Sequence, residues 1–173
     1  MLVMNKLCIV LILFILFSSC YGPKLNEKKI KVQIHFISKI NSDKFDAKEG
    51  IFYSIKIDLI NNGDSTDRFW IMSCSWEENW ISNNCKIQFY NSGCDKNIPK
   101  LAQLDPGQKL TFNGILKVLE NRKNFKGDND FKLGFILIKE QDAPNNLDFQ
   151  KLLLDNAKVN KNIIWSNRFN INK

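Results

Sequence analysis

The amino-acid sequence predicts an all-β fold, an antiparallel β-sandwich of about eight strands with one short helix near the C-terminal end. Three observations predict it. Apolar and polar residues alternate with period two over much of the chain, turn residues separate the alternating stretches, and only residues 146–156 have a helical pattern. Short strands that bury one face and expose the other pack as two sheets around one core.

The predicted strands follow one another from residue 30 onwards. Residues 30–36 and 51–59 alternate clearly, and the second stretch ends at Asn61-Asn62-Gly63-Asp64, a strong turn signal. Residues 69–76 are apolar at both odd and even positions, which predicts a central strand covered on both faces. The other predicted strands are residues 85–89, 110–118, 131–137, 163–165 and 169–171.

A tight turn is predicted at Leu104-Asp105-Pro106-Gly107-Gln108. Pro106 presets its own φ, and Gly107 can adopt a positive φ. An apolar strand, a Leu-x-Pro-Gly turn and a second apolar strand resemble many bacterial immunoglobulin-like modules. The resemblance implies an immunoglobulin-like architecture for the sandwich and carries no function.

Residues 1–19 have the layout of a secretory signal peptide. Lys6 gives a positive start, and residues 7–17 form an apolar run that is too short to span a bilayer as a mature helix. Two small residues, Ser18 and Ser19, then precede Cys20. We therefore expect residues 1–19 to be removed, residues 20–29 to form a tether, and residues 30–173 to form a single β-sandwich domain.

The motif Phe17-Ser18-Ser19-Cys20 resembles the lipobox of bacterial lipoproteins, whose cysteine is acylated and becomes the mature N-terminus. The usual first residue of the lipobox is Leu, and Phe17 stands there in this chain. The resemblance implies lipid attachment at Cys20 and membrane anchoring through N-terminal acyl chains. A multiply acylated cysteine provides the second membrane signal that stable anchoring requires.

The residues after Cys20 bear on where such a lipoprotein would lie in the cell envelope. Lipoproteins of the inner membrane commonly carry Asp after the cysteine, and this chain has Tyr21. Exported lipoproteins of the Bacteroidetes type often carry an acidic cluster there, whereas residues 21–29 contain one acid, Glu27. We expect the outer membrane, facing the periplasm, with the cell surface as the alternative.

The charge of the chain is basic but dispersed. The net charge is +7, and loss of residues 1–19 removes one positive charge, that of Lys6. No run of five or six basic residues occurs, and the lysines are scattered through turns and polar faces. We therefore expect a solvated basic surface and no nucleic-acid partner.

The sequence favours a non-catalytic protein without a cofactor or metal. His35 is the single histidine and falls on the polar side of a predicted strand. The chain has no Gly-x-Ser-x-Gly elbow, no Gly-rich phosphate loop and no His-Glu-x-x-His pair. Glu77 and Glu78 could form a carboxylate pair, but sequence neighbours are weak evidence for the facing geometry that glycoside hydrolysis needs.

The three cysteines after residue 20 are Cys74, Cys85 and Cys94. With His35 they could form a Cys3His zinc site, but their spacing matches no compact zinc motif. Export favours a disulfide instead. If residues 69–76 and 85–90 form a hairpin, Cys74–Cys94 is the favoured bridge and Cys74–Cys85 the alternative. Cys85 is then expected to be a buried, unreactive thiol.

The tryptophans divide into expected core residues and an expected surface residue. Trp70 and Trp76 share strand parity with Met72 and Cys74, so we expect both in the core. Trp80 follows Glu77, Glu78 and Asn79 in a presumed loop, so we expect it to be exposed. If Trp76 is exposed instead, Trp76 and Trp80 together form the candidate binding surface.

These observations lead to two hypotheses of function. The first is a lipid-anchored envelope protein that binds a protein partner without catalysis, and the alternative is a carbohydrate-binding module that uses exposed Trp76 and Trp80. Separately, Asp64-Ser65-Thr66 resembles the O-glycosylation acceptor of exported proteins of the Bacteroidetes type, which marks Ser65 as a candidate for modification.

Overall fold

The computed structural model describes residues 29–41, 50–91, 93–119 and 130–171. These residues form strands, two short 3₁₀ helices (Trp76–Asn79 and Glu140–Asp142) and helix α1 (Asn146–Val159). The strands are β1 (Ile30–Lys39), β2 (Ile51–Asn61), β3 (Asp67–Met72), β4 (Trp80–Ser82), β5 (Ile87–Phe89), β6 (Pro99–Leu104), β7 (Lys109–Val118), β8 (Asp130–Phe131), β9 (Leu133–Ile136), β10 (Ile163–Trp165) and β11 (Phe169–Asn170).

All strand pairs are antiparallel, and the largest sheet has the order β1-β2-β7-β5. A three-stranded sheet has the order β10-β9-β4, and two further pairs are β3-β6 and β8-β11. The predicted all-β, antiparallel sandwich-like fold with one helix is thereby confirmed. The described residues contain more strands than the eight that the sequence predicts. The predicted strand over 131–137 divides into β8 and β9, and β4 and β6 were not predicted because their sequences do not alternate with period two.

The main core lies between the four-stranded sheet and the strands that face it. The inward positions of β1 and β2 alternate as the sequence predicts, and residues of β3, β4 and β9 pack onto them. The fully buried large side chains of this core include Ile57, Leu59, Phe69, Leu133 and Phe135.

A second, smaller core lies beneath helix α1. Trp70 and Met72 of β3 meet Phe149 and Leu153 of the helix there. The Trp70 indole donates a hydrogen bond from Nε1 to the Ala143 carbonyl at 2.8 Å. Trp70 is therefore a core residue, as predicted.

The two cores explain why residues 69–76 are apolar at both parities. Phe69 and Ile71 face the main core, whereas Trp70 and Met72 face the second core. The strand ends at Met72 and pairs with β6, while β5 pairs with β7. The expected hairpin between residues 69–76 and 85–90 is wrong, because each segment finds its hydrogen bonds in a different sheet.

Helix α1 begins and ends at asparagines with the appropriate geometry. The Asn145 side chain accepts hydrogen bonds from the backbone N–H groups of Leu147 and Asp148, which are otherwise without an intrahelical partner. Asn160 adopts the left-handed conformation, with φ of 53°, and ends the helix. The helix begins where the sequence predicts and extends three residues beyond the predicted segment.

The N-terminal predictions lie outside the described residues. These are the signal peptide over 1–19, lipid attachment at Cys20 and most of the tether over 20–29. In the part of the chain that the structure describes, no helix is both long and apolar enough to cross a membrane.

Candidate functional site

A disulfide between Cys74 and Cys94 closes the segment that carries the candidate site. The two Cα atoms are 6.1 Å apart and the cysteines are 20 residues apart in sequence, so the favoured pairing is confirmed. Asn97 fixes one end of this closed loop, because its Oδ1 accepts hydrogen bonds from the backbone N–H groups of Cys74 and Ser75. Its Nδ2 donates to Glu78 at 3.0 Å.

Cys85 is exposed, so the expectation of a buried thiol is wrong. The physical reason is its place in the chain. Cys85 lies in the turn between β4 and β5, outside both strands, and strand parity therefore does not assign it to the core. It is the free thiol of the described residues.

Trp80 is buried, so the expectation of an exposed loop residue is also wrong. Its exposed fraction is 6%. Trp80 begins strand β4 and lies opposite Phe135 of β9, and the two ring centroids are 5.0 Å apart. Phe112 approaches the same indole at 5.9 Å. The acidic residues before Trp80 belong to a 3₁₀ helix that leads the chain directly into a strand.

Trp76 is half-buried and lies against the main core, in agreement with the expectation for this residue. Its ring centroid is 4.8 Å from that of Phe112. Gly114 of β7 lets the Trp76 ring lie directly on that strand, because a Cβ at position 114 would come within 2.8 Å of the ring. Trp80 is therefore closed to solvent, whereas Trp76 is partly exposed.

Asn79 holds the 3₁₀ helix against β3 and was not singled out from the sequence. It is fully buried. Its Oδ1 accepts a hydrogen bond from the Met72 backbone N–H at 2.9 Å, and its Nδ2 donates to the Trp70 carbonyl at 3.3 Å. A buried amide with both ends paired specifies one position for its segment.

A cavity of about 470 Å³ lies between β4 and β5. Strand β5 is an edge strand of the four-stranded sheet, and β4 is an edge strand of the three-stranded sheet. We call this cavity the β4–β5 pocket. It is lined by Glu77, Glu78, Trp80, Ile81, Ser82, Asn84, Cys85, Ile87, Gln88, Phe89 and Asn91. The whole lining therefore belongs to the loop that the Cys74–Cys94 disulfide closes. The sequence signal that could have located the pocket is this concentration of aromatic, acidic and amide residues between two bonded cysteines.

The electrostatic character of the β4–β5 pocket is acidic. Burial raises the pKa of Glu77 above its usual value, a hydrogen bond from its own backbone opposes the rise, and the negative charge of Glu78 adds to it. The lining includes no lysine or arginine. The acidic pocket is therefore a local exception on a chain of net charge +7.

His35 lies outside the pocket, on the outer face of the four-stranded sheet. Its Nε2 is 3.2 Å from Oδ2 of Asp58, and the Thr111 hydroxyl donates to Oδ1 of the same carboxylate at 2.6 Å. Burial raises the pKa of Asp58, but the Thr111 hydrogen bond and the nearby positive charges outweigh it, so the pKa lies below the usual value. Among the described residues, no group of three or more His, Cys, Asp or Glu could hold a metal ion.

Ser65 lies in the turn after β2 and is exposed, as a modified residue must be. Its hydroxyl accepts a hydrogen bond from Nζ of Lys29. Glycosylation of Ser65 stays a prediction.

Comparisons with known proteins add little to this geometry. No protein-family model matches the chain, and no curated protein is significantly similar to it in sequence. The crystal structure of a FixG-related protein from Vibrio parahaemolyticus is similar at a TM-score of 0.35 and 13% identity, over 82% of this chain and 95% of that one. At this TM-score the likeness carries no argument about fold or function.

Proposed function

We propose that this chain is a lipid-anchored protein of the bacterial cell envelope that binds a protein partner without catalysing a reaction. The lipobox-like motif ending at Cys20 supports the anchor. One structural observation supports the partner, namely the outward face of helix α1.

The outward face of α1 carries large apolar side chains that the fold does not use. Leu147 is 78% exposed and Leu154 is 62% exposed. With Lys151 and Lys158 they follow the spacing i, i+4, i+7, i+11, which is one line along a helix. We call these four residues the leucine stripe. The buried residues of the helix, Phe149, Leu153 and Asn156, lie on the opposite side.

Exposed apolar side chains that line up on one face of a helix are typical of a protein–protein contact. The two leucines are separated by about 10 Å along the helix, which suits an apolar groove on a partner. Lys151 and Lys158 lie between and beyond them, and they favour a groove with an acidic rim.

The alternative of a carbohydrate-binding module with exposed Trp76 and Trp80 is not proposed in that form. That hypothesis requires two exposed indoles. Trp80 is 6% exposed, and the half-buried Trp76 packs against Phe112, so the two do not form an exposed pair. The leucine stripe therefore supports the first hypothesis better than the tryptophans support the second.

The experiment is crosslinking in cells that express the full chain, followed by recovery of its neighbours. The double substitution Leu147→Glu and Leu154→Glu should abolish recovery of a specific protein neighbour. Because both side chains are exposed, stability should change by less than about 0.5 kcal/mol per substitution. The matched control is Val159→Glu, which exchanges another exposed apolar residue of the same helix for the same charge, about a third of a turn away from the stripe. Undiminished recovery with the double variant would refute the proposed partner face.

A further inference from the structure

The β4–β5 pocket has the composition of a binding site for a small polar molecule. Its wall combines the aromatic residues Trp80 and Phe89 with Ile81 and Ile87. Around that wall lie two carboxylates, three side-chain amides and the hydroxyl of Ser82. Ligand pockets typically join an apolar wall to a few convergent polar groups in this way. The pocket shares no residue with the leucine stripe, so it does not depend on the proposed protein partner.

Two polar atoms of the pocket-lining residues lack a hydrogen-bond partner among the described residues. One is Nε1 of Trp80, a side chain that is 6% exposed, and the other is Oε2 of Glu77. A buried polar atom without a partner destabilises a protein, so a water, an ion or a ligand group is expected to pair with it. Both atoms are covered in this structure, and small side-chain movements of the kind common on binding would bring them to a ligand.

The two atoms require opposite chemistry from a ligand. The indole N–H of Trp80 needs an acceptor, whereas the carboxylate oxygen of Glu77 needs a donor. Among the amides of the lining, Oδ1 of Asn84 and Oδ1 of Asn91 already accept hydrogen bonds from the backbone N–H groups of Lys86 and Gly93. A hydroxyl group can meet both needs, because it donates one hydrogen bond and accepts others.

The charge of the pocket excludes two other ligand classes. An anionic ligand would be repelled by Glu77 and Glu78, and the lining has no lysine or arginine to compensate. An organic cation would pair with the carboxylates, but an ammonium or guanidinium group has no acceptor for the indole N–H of Trp80. A neutral molecule with several hydroxyl groups can pair with both the indole N–H of Trp80 and the carboxylate of Glu77.

We infer that the β4–β5 pocket binds an uncharged carbohydrate through the edge of Trp80 and the side chain of Glu77. The apolar C–H faces of a sugar ring would lie against Phe89 and the neighbouring isoleucines, and its hydroxyls would face the carboxylates and amides. This mode differs from stacking on an exposed tryptophan, since Trp80 contributes its N–H edge while its ring stays in the core.

The reactivity of Cys85 can report ligand binding directly, because Cys85 is an exposed thiol in the lining of the pocket. The full chain in detergent is treated with iodoacetamide, and modification of the Cys85 peptide is followed by mass spectrometry. The probes are N-acetylglucosamine, galactose, mannose and maltose, with spermidine as the cationic comparison. At least one sugar should slow the modification of Cys85 in a saturable manner.

Variants test whether the protection comes from the pocket. Glu77→Gln keeps the shape of the side chain and removes its charge, so it should weaken protection about tenfold, the effect expected for a hydrogen bond to a charged group. The control Gln150→Ala removes an exposed side chain on α1 and should leave protection unchanged. Protection by none of the sugars, protection by spermidine alone, or equal protection in wild type and Glu77→Gln would each overturn the inference.

Discussion

Trp80 contributes to the core through three aromatic neighbours, which makes it a strong determinant of stability. Its ring centroid lies 5.0 Å from that of Phe135, 5.9 Å from that of Phe112 and 6.3 Å from that of Phe89. Trp80→Ala should therefore reduce the free energy of unfolding by about 3–5 kcal/mol, the usual range for removing a buried large aromatic side chain. Trp70→Ala should cost a similar amount, because Trp70 also loses its hydrogen bond to Ala143.

The measurement is urea unfolding of both variants beside a surface control. Leu147→Ala is suitable because that side chain is 78% exposed, and it should change stability by less than about 0.5 kcal/mol. If Trp80→Ala behaves like Leu147→Ala rather than like Trp70→Ala, the indole of Trp80 is not a core residue in solution.

Sequence patterns locate the residues of long alternating strands better than those of short strands and turns. Trp70 could be assigned to the core because Met72 and other apolar residues share its parity. Trp80 could not, since the three acidic or polar residues before it suggest a loop, and its partner Phe135 is distant in sequence. Cys85 was misassigned because the predicted strand over residues 85–89 begins two residues too early. Strand β5 begins at Ile87, and Cys85 lies in the turn before it.

At the scale of elements, the long strands and the helix were predictable. Strands β1, β2 and β7 alternate with period two, since one face of each meets the core and the other meets water. Strand β6 was missed because its burial pattern does not alternate. The predicted partner of β3 was also wrong, because a strand that is buried on both faces gives no indication of which neighbouring strand supplies its hydrogen bonds.

The disulfide and the β4–β5 pocket belong to one element, the loop of residues 74–94. Strands β4 and β5 are short, three residues each, so the bridge and the buried Asn79 fix their positions. Loss of the bridge in the double variant Cys74→Ser and Cys94→Ser should cost about 3 kcal/mol of stability in the chain-entropy model for a loop of this size. Because the loop carries the whole lining, the same variant should also lose any ligand protection of Cys85.

Urea unfolding of the protein, without reductant, measures the loss of stability. Cys85→Ser is the matched control, since it removes a thiol from the same loop without opening the bridge, and its unfolding midpoint should equal that of the wild type. A double variant as stable as Cys85→Ser would show that the bridge contributes nothing to folding.

At the scale of the whole molecule, the candidate surfaces are distributed over different elements. The β4–β5 pocket lies between the edge strands of two sheets, and the leucine stripe lies on the outward side of α1. The described chain begins at Lys29, directly before β1, so a tether would enter the fold through the edge strand of the four-stranded sheet. The two surfaces share no residue, so a membrane-tethered molecule could use each independently.

The lipid anchor is the prediction on which the location of the whole molecule depends. Cys20→Ala should prevent acylation, because the alanine side chain has no thiol to modify. The variant should then leave the detergent phase in phase partitioning, or accumulate with residues 1–19 uncleaved, since each buried CH₂ of an acyl chain contributes about 0.8 kcal/mol to membrane attachment. Cys8→Ala is the control, because it removes the other cysteine of the first twenty residues and should leave the partitioning unchanged. Mass spectrometry of the wild-type protein should find an acylated Cys20 as the first residue, and any other mature N-terminus would refute the anchor.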